Sequence, residues 1–245
     1  VIFGTTFGYI DAMAEMAEEY PDVIFLHCSG YLSNDSNFGN YFGKMYQPRY
    51  LAGLQAGEMT TSNKIGYVAA FPIPEVIRGI NAFASGVKEV NPDATVEVVW
   101  TFTWFGPEEE TQAANALIET GVDVLAQHQD SPSTGVVAEA NGAKWISYNT
   151  NYGQSAAPEA YAGAPVWDWG PYYVSVVNSI IDGEFTGGAY WGGMETGLVS
   201  YDTIFDQGPL ADLISGVQAE IISGDFDPPI VEDEFIENVI GTVSP

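Results

Sequence analysis

Gly121-Val122-Asp123-Val124-Leu125-Ala126-Gln127-His128-Gln129-Asp130-Ser131 decides the fold class. A short apolar run stops at Gln127, and polar groups and a carboxylate follow at once. The run is bounded by turn residues and too short for a helix, so it reads as a strand buried on both faces. The pattern recurs at Thr95–Thr101 before Trp104-Phe105 and at Tyr161–Val166 before Trp167-Asp168-Trp169-Gly170. In open parallel α/β sheets, ligands bind beyond the carboxyl ends of strands. Aromatic planes with a few polar groups at those ends describe a small-molecule site.

Working outward, strands alternate with helices. Val1–Thr6 reads as a strand and Ala12–Glu19 as a helix capped by Asp11; Asp22–His27 is the next strand. Residues 31–40 read as a polar loop and Tyr41–Glu58 as a long helix, in which glycines predict close packing. Lys64–Ala70 opens a second series: helix Glu75–Glu89, strand Thr95–Thr101, a helix starting at Pro107, strand Gly121–Gln127, helix Thr134–Ala140 and strand Ala143–Tyr148. A helix from Pro171 to Asp182 and an amphipathic one over Pro209–Ser223 complete the tail. This alternation predicts parallel sheets covered on both faces. With a polar junction at Thr60–Asn63, it divides the chain into 1–61 with about 168–190, then 62–167. Residues 191–245 form a crossing segment and helical tail of unassigned lobe. The expectation is two Rossmann-like lobes with strand-end loops facing a cleft.

Composition limits the function. Six Lys and Arg stand against 33 Asp and Glu, a net charge of −27. Phosphate-based nucleic-acid binding needs the opposite sign. Such self-repulsion is best tolerated where salt screens it, which suits a salt-rich habitat as well as an ordinary acidic extracellular protein. No apolar run reaches the roughly 20 residues of a membrane span. The single cysteine, Cys28, gives no internal disulfide. His27 and His128 lie on different strands, so no metal site is expected. Neither a P-loop, a dinucleotide fingerprint nor a G-x-S-x-G elbow is present, so no cofactor and no catalysis are expected. Glu108, Glu109 and Glu110 read as a helix first turn, where the dipole favours negative charge.

Phe7, Tyr9, Trp104, Phe105, Trp167 and Trp169 are the candidate stacking planes. Asp130 is the candidate carboxylate for ring N–H or amine groups, and it also suits a helix cap together with Ser131. Asn40, Asn149, Asn151 and Asp168 are polar groups on exit loops, where turn roles compete.

Several segments, in order, carry a resemblance: Phe3-Gly-Thr-Thr-Phe-Gly-Tyr9, Tyr41–Gly53, Trp104-Phe-Gly-Pro107, Gln127–Ser131, Trp167-Asp-Trp-Gly-Pro-Tyr-Tyr173 and Tyr190-Trp-Gly-Gly-Met194. Together they resemble the basic membrane protein (PnrA-like) family of ABC-transporter substrate-binding lipoproteins. The resemblance implies an α/β type I periplasmic-binding-protein fold and a purine base or nucleoside, adenine-like by preference, held in the interlobe cleft. An aromatic pair would sandwich the ring and a carboxylate would read its edge, roles open to Phe7, Trp104 and Asp130. Tyr41, Ser131 and Met194, inside the motif segments, complete the candidate contacts. The resemblance further implies an ABC permease as partner, a monomer, and an extracytoplasmic location with an N-terminal lipid. The family's first βαβα unit, which precedes the segment matching Val1, is expected to be missing. A nucleoside hydrolase and a ligand-sensing domain are the rival readings.

Overall fold

The computed structural model describes residues 1–241. In chain order the elements are β1 (Ile2–Gly4), α1 (Ile10–Glu19), β2 (Phe25–Cys28), β3 (Phe38–Gly43), α2 (Tyr46–Met59), β4 (Lys64–Ala69), α3 (Pro74–Val90), β5 (Thr95–Trp100) and α4 (Pro107–Glu119). They continue with β6 (Val124–His128), α5 (Ser133–Ala140), β7 (Lys144–Ile146), β8 (Tyr161–Trp167), α6 (Gly170–Ile181), β9 (Gly188–Gly192), β10 (Val199–Thr203), α7 (Pro209–Ser223) and β11 (Val239–Ile240). One sheet runs β1-β2-β3-β9 and the other β10-β8-β7-β6-β4-β5-β11. The pairings from β1 through β9 in the first sheet, and those of β4 with β5 and β6, are parallel. The expected α/β class with parallel sheets is what the chain forms.

One local expectation is overturned. Phe38-Gly-Asn-Tyr-Phe-Gly43 is a strand, not the end of a loop and the start of a helix. Gly and Asn there signal a turn in isolation. Pairing on both edges, with β2 and β9, supplies backbone partners that local propensity does not foresee. The tail also holds β9, β10 and β11, where only helices and a crossing segment were expected.

The chain divides into two units: Val1–Lys44 with Asp168–Val199, and Met45–Trp167 with the segment from Ser200 on. The division therefore falls before α2, not at Thr60–Asn63. Two contacts explain this. A methyl group at Gly53 of α2 would collide with the Phe83 carbonyl of α3, and one at Gly86 of α3 with the Tyr50 carbonyl of α2. These backbones touch, so α2 packs with α3 in the second unit. The polar junction is itself an anchor. The Asp123 carboxylate accepts from Thr60 Oγ1 at 2.6 Å, from Thr61 N at 2.7 Å and from Ser62 N at 2.9 Å. Against the penalty of burial, these bonds hold the Asp123 pKa below its ordinary value.

In the second unit, one face of the sheet packs Leu125, Trp145 and Tyr161 against α4 and α5 through Ala114, Leu117, Val137 and Ala138. In the first unit, α1 lays Met13 and Ala17 on Phe25 and Phe38. No helix among the described residues is long and apolar enough to cross a membrane.

Candidate functional site

The second sheet places β4 between β5 and β6. The chain leaves β4 for β5 on one side and returns to β6 on the other. That reversal is a topological switch point, where loops diverge beyond the carboxyl ends and leave a crevice. The loops that follow β4, β5 and β6 carry Phe71, Trp104 and Asp130, respectively.

These loops are tied together. Asp130 N–H donates to the Trp104 carbonyl at 3.0 Å. Thr101 and Phe102 donate their N–H groups to the Ala69 and Ala70 carbonyls, both at 2.9 Å. Phe102 adopts φ 56°, a strained value for a bulky residue, which turns the chain sharply ahead of Trp104. The Trp104 ring, partly exposed, lies 5.3 Å from the Phe71 ring and 6.0 Å from the His128 ring, measured between centroids.

A buried carboxylate fastens the same loops from below. Glu110 accepts from Ser131 Oγ at 2.6 Å and from Gly106 N at 3.3 Å. It is fully buried, and desolvation raises its pKa against those hydrogen bonds. The helix-dipole reading of the three glutamates accounts for Glu108 and Glu109, which are exposed, but not for Glu110. Gln127 shapes the turn after β6. Its Nε2 donates to the carbonyls of Gln129 at 2.9 Å and Ser131 at 2.7 Å, and its Oε1 accepts from Trp145 Nε1 at 2.9 Å. The turn is thus wound around a side chain that points inward. Asp130 is left on the outside, exposed, with its pKa raised by partial desolvation.

Beneath the crevice lies a buried polar cluster. Arg49 donates to the Tyr67 hydroxyl at 2.7 Å and packs 5.2 Å from the Tyr148 ring centre. His128 Nε2 lies 3.2 Å from Glu75 Oε2, and the His128 ring is 4.6 Å from that of Tyr148. Burial lowers the His128 pKa against the opposing pull of Glu75. Against its own burial, Glu75 is held ionised by His128, Arg49 and Arg78. Phe71, Glu75, Arg49 and Tyr148 were missed in the sequence. Phe71 sits just past a strand end and was open to the rule that found Trp104. Arg49 lies in the first turn of α2 and gave no local signal.

The other sequence candidates fall as follows. Phe105 is exposed and Asn149 adopts φ 57° on the loop after β7. Trp167 ends β8, its N–H 3.5 Å from the Asn149 carbonyl. In the first unit, Phe7 and Tyr9 are exposed on a single 3-10 turn. Asn40 and Asp168 share the lining of a hollow of about 440 Å³ with Tyr172 and Tyr190. Asn40 Nδ2 donates to the Leu32 carbonyl at 3.1 Å, and Asp168 Oδ1 accepts from Gly170 N at 3.1 Å, a turn role. Tyr41 is fully buried, stacked 4.8 Å from Tyr172 and 3.2 Å from the Tyr173 hydroxyl, so its ring serves the core. Trp169 stacks on Tyr173 in the same cluster. Met194 is buried. Ser131 directs its hydroxyl to Glu110. Among the described residues, no group of acidic, His and Cys side chains is arranged to hold a metal ion.

Solved structures place the fold. A transcriptional activator of the comK gene from Bacillus halodurans superposes with a TM-score of 0.82 at 21% identity, over 93% of this chain and 80% of its own. An ABC transporter solute-binding protein from Conexibacter woesei gives 0.72 at 20% identity, over 93% and 79%. The architecture is that of the type I periplasmic-binding-protein class. The chain belongs to the PnrA-like family of ABC transporter substrate-binding proteins, whose model matches residues 1–220. Two relatives extend the comparison. A Haloferax volcanii protein named as a candidate ABC transporter glucose-binding protein, TsgA13, is 46% identical over 233 residues, 93% of this chain and 58% of its own length. A purine-binding protein of Brucella abortus is 37% identical over 234 residues, 93% of this chain and 65% of its own. The chain thus spans less than two thirds of either relative.

Proposed function

We propose that this chain is the non-catalytic, ligand-capturing part of an ABC importer for a purine base or nucleoside, adenine-like by preference. It works as a monomer outside the cytoplasmic membrane, held there by an N-terminal lipid, and hands its ligand to a membrane permease. The observation that carries this reading is the Trp104–Asp130 pair at the switch point. The loop that carries an aromatic plane and the loop that carries an exposed carboxylate are tied together by a backbone hydrogen bond. A purine ring offers a face to the first and N–H donors to the second. Six basic residues against 33 acidic ones disfavour a nucleotide, whose phosphates need cations. The name of the Brucella abortus relative supports the same class.

Phe105, Asn149 and Trp167 in the second unit remain proposed contacts, as do Phe7, Tyr9, Asn40 and Asp168 in the first. Titration calorimetry with adenine, adenosine, guanosine and glucose tests the class. A sugar is the second reading, favoured by the name of the Haloferax volcanii relative. Binding of glucose with no heat from any purine selects it.

A further inference from the structure

Phe102 is the residue near the crevice that folding explains least. Its backbone sits at φ 56°, a left-handed value that Gly or Asn adopts far more readily than a bulky residue. Its side chain is 53% exposed, so little burial offsets that strain. Strain of this kind persists only where the surroundings over-determine it, and it gathers at ligand sites. The surroundings here are specific. Phe102 N–H and Thr101 N–H donate to the Ala70 and Ala69 carbonyls, and Thr101 Oγ1 donates to the Thr103 carbonyl at 3.1 Å. Gln129 Nε2 donates to the same Thr101 hydroxyl. The turn is thereby stapled to the end of β4 and to the segment after β6.

The place of the ring completes the observation. The Phe102 and Phe71 rings meet edge to face, 6.4 Å apart at 74°, and the Phe71 ring lies 5.3 Å from that of Trp104. Phe71 thus joins Phe102 and Trp104 into one aromatic row beyond the carboxyl ends of β4 and β5. We infer that Phe102 is a further ligand contact of this crevice, an apolar wall held out to the ligand by a strained backbone at the expense of stability. The inference rests on the Trp104–Asp130 reading and adds a residue that faces the same ligand. A phenyl ring offers area and a quadrupole but no hydrogen bond, so it suits a flat, neutral ring system. A two-ring base covers more of the row than a one-ring base does, and the gain grows with the apolar area removed from water. A charged group set against this wall loses hydration and finds no partner there.

Binding and stability move in opposite directions if this is right, and two substitutions separate them. Phe102→Asn removes the ring and installs a residue that tolerates positive φ. Phe102→Tyr keeps both the ring and the strain. Calorimetry with adenosine is run beside thermal unfolding without ligand. The expected result for Phe102→Asn is an adenosine affinity lower by roughly fivefold or more, with a melting temperature at or above that of the wild type. Phe102→Tyr keeps the wild-type affinity to within about twofold. An affinity unchanged in Phe102→Asn overturns the contact. So does a fall of several degrees in its melting temperature, which assigns the ring to packing of the loop, or a loss in Phe102→Tyr as large as that in Phe102→Asn. Trp104→Ala, titrated alongside, keeps the two readings apart: a loss there with none in Phe102→Asn sinks the inference and leaves the purine reading standing. If the wild type binds no purine, both fall.

Discussion

The backbone N–H of Asp130 donates to the carbonyl of Trp104 at 3.0 Å. These residues lie 26 positions apart in the chain and follow β5 and β6, the strands on either side of β4. One bond therefore ties the loop of a candidate carboxylate to the loop of a candidate aromatic plane, and the groups that hold the bond in place become testable.

Gln127→Leu removes the amide around which the turn is wound. The Gln129 and Ser131 carbonyls and Trp145 Nε1 all lose a buried partner. Each unpaired group costs about 1–3 kcal/mol. A fall in melting temperature of several degrees, together with weakened ligand binding, is expected in thermal unfolding and calorimetry. An unchanged melting temperature contradicts the winding role.

Glu110 makes stability depend on pH. Its folded pKa is raised, so its contribution is fully present below the ordinary carboxylate pKa and is lost as pH rises through the folded value. Glu110→Gln keeps one acceptor and one donor without the charge. Its melting temperature should gain on that of the wild type as pH rises through this window. Glu110→Ala should be less stable than either at every pH, since it orphans Gly106 N–H and the Ser131 hydroxyl.

Asp130 predicts a pH-dependent affinity of opposite sense. A ligand that donates to its carboxylate favours the ionised form, so binding releases protons and weakens as pH falls through its raised pKa. Asp130→Asn should flatten that profile in calorimetry run over a pH series. A wild-type affinity that does not change with pH would remove the carboxylate from the contact.

Gly53→Ala and Gly86→Ala each force α2 and α3 apart, because the added methyl meets backbone and not a flexible side chain. Overpacking of this kind costs typically 1–3 kcal/mol, occasionally more. Denaturant unfolding should show the loss, whereas Gly216→Ala, in α7 with open space around it, should cause none.

The sheet class and the strand ends were legible because burial on both faces leaves an uninterrupted apolar run that stops abruptly. Val124–His128 followed by Asp130 is such a case. The strand Phe38–Gly43 was not legible. Its Gly-Asn composition mimics a turn, and its stability comes from partners distant in sequence, β9 above all. Glu110 was hidden for another reason. Its spacing matches a helix first turn, and only the fold shows that it alone of the three points inward to Ser131. Trp104 and Asp130 were visible as single residues, while the bond joining them depends on a register that no local pattern encodes.

The most direct test is titration calorimetry of adenosine into the wild-type protein and into Trp104→Ala. Stacking on an aromatic side chain contributes about 1–3 kcal/mol per base. The account predicts binding by the wild type and a loss of roughly tenfold or more in the variant, with its melting temperature little changed. Equal affinities for adenosine in the two proteins would contradict it.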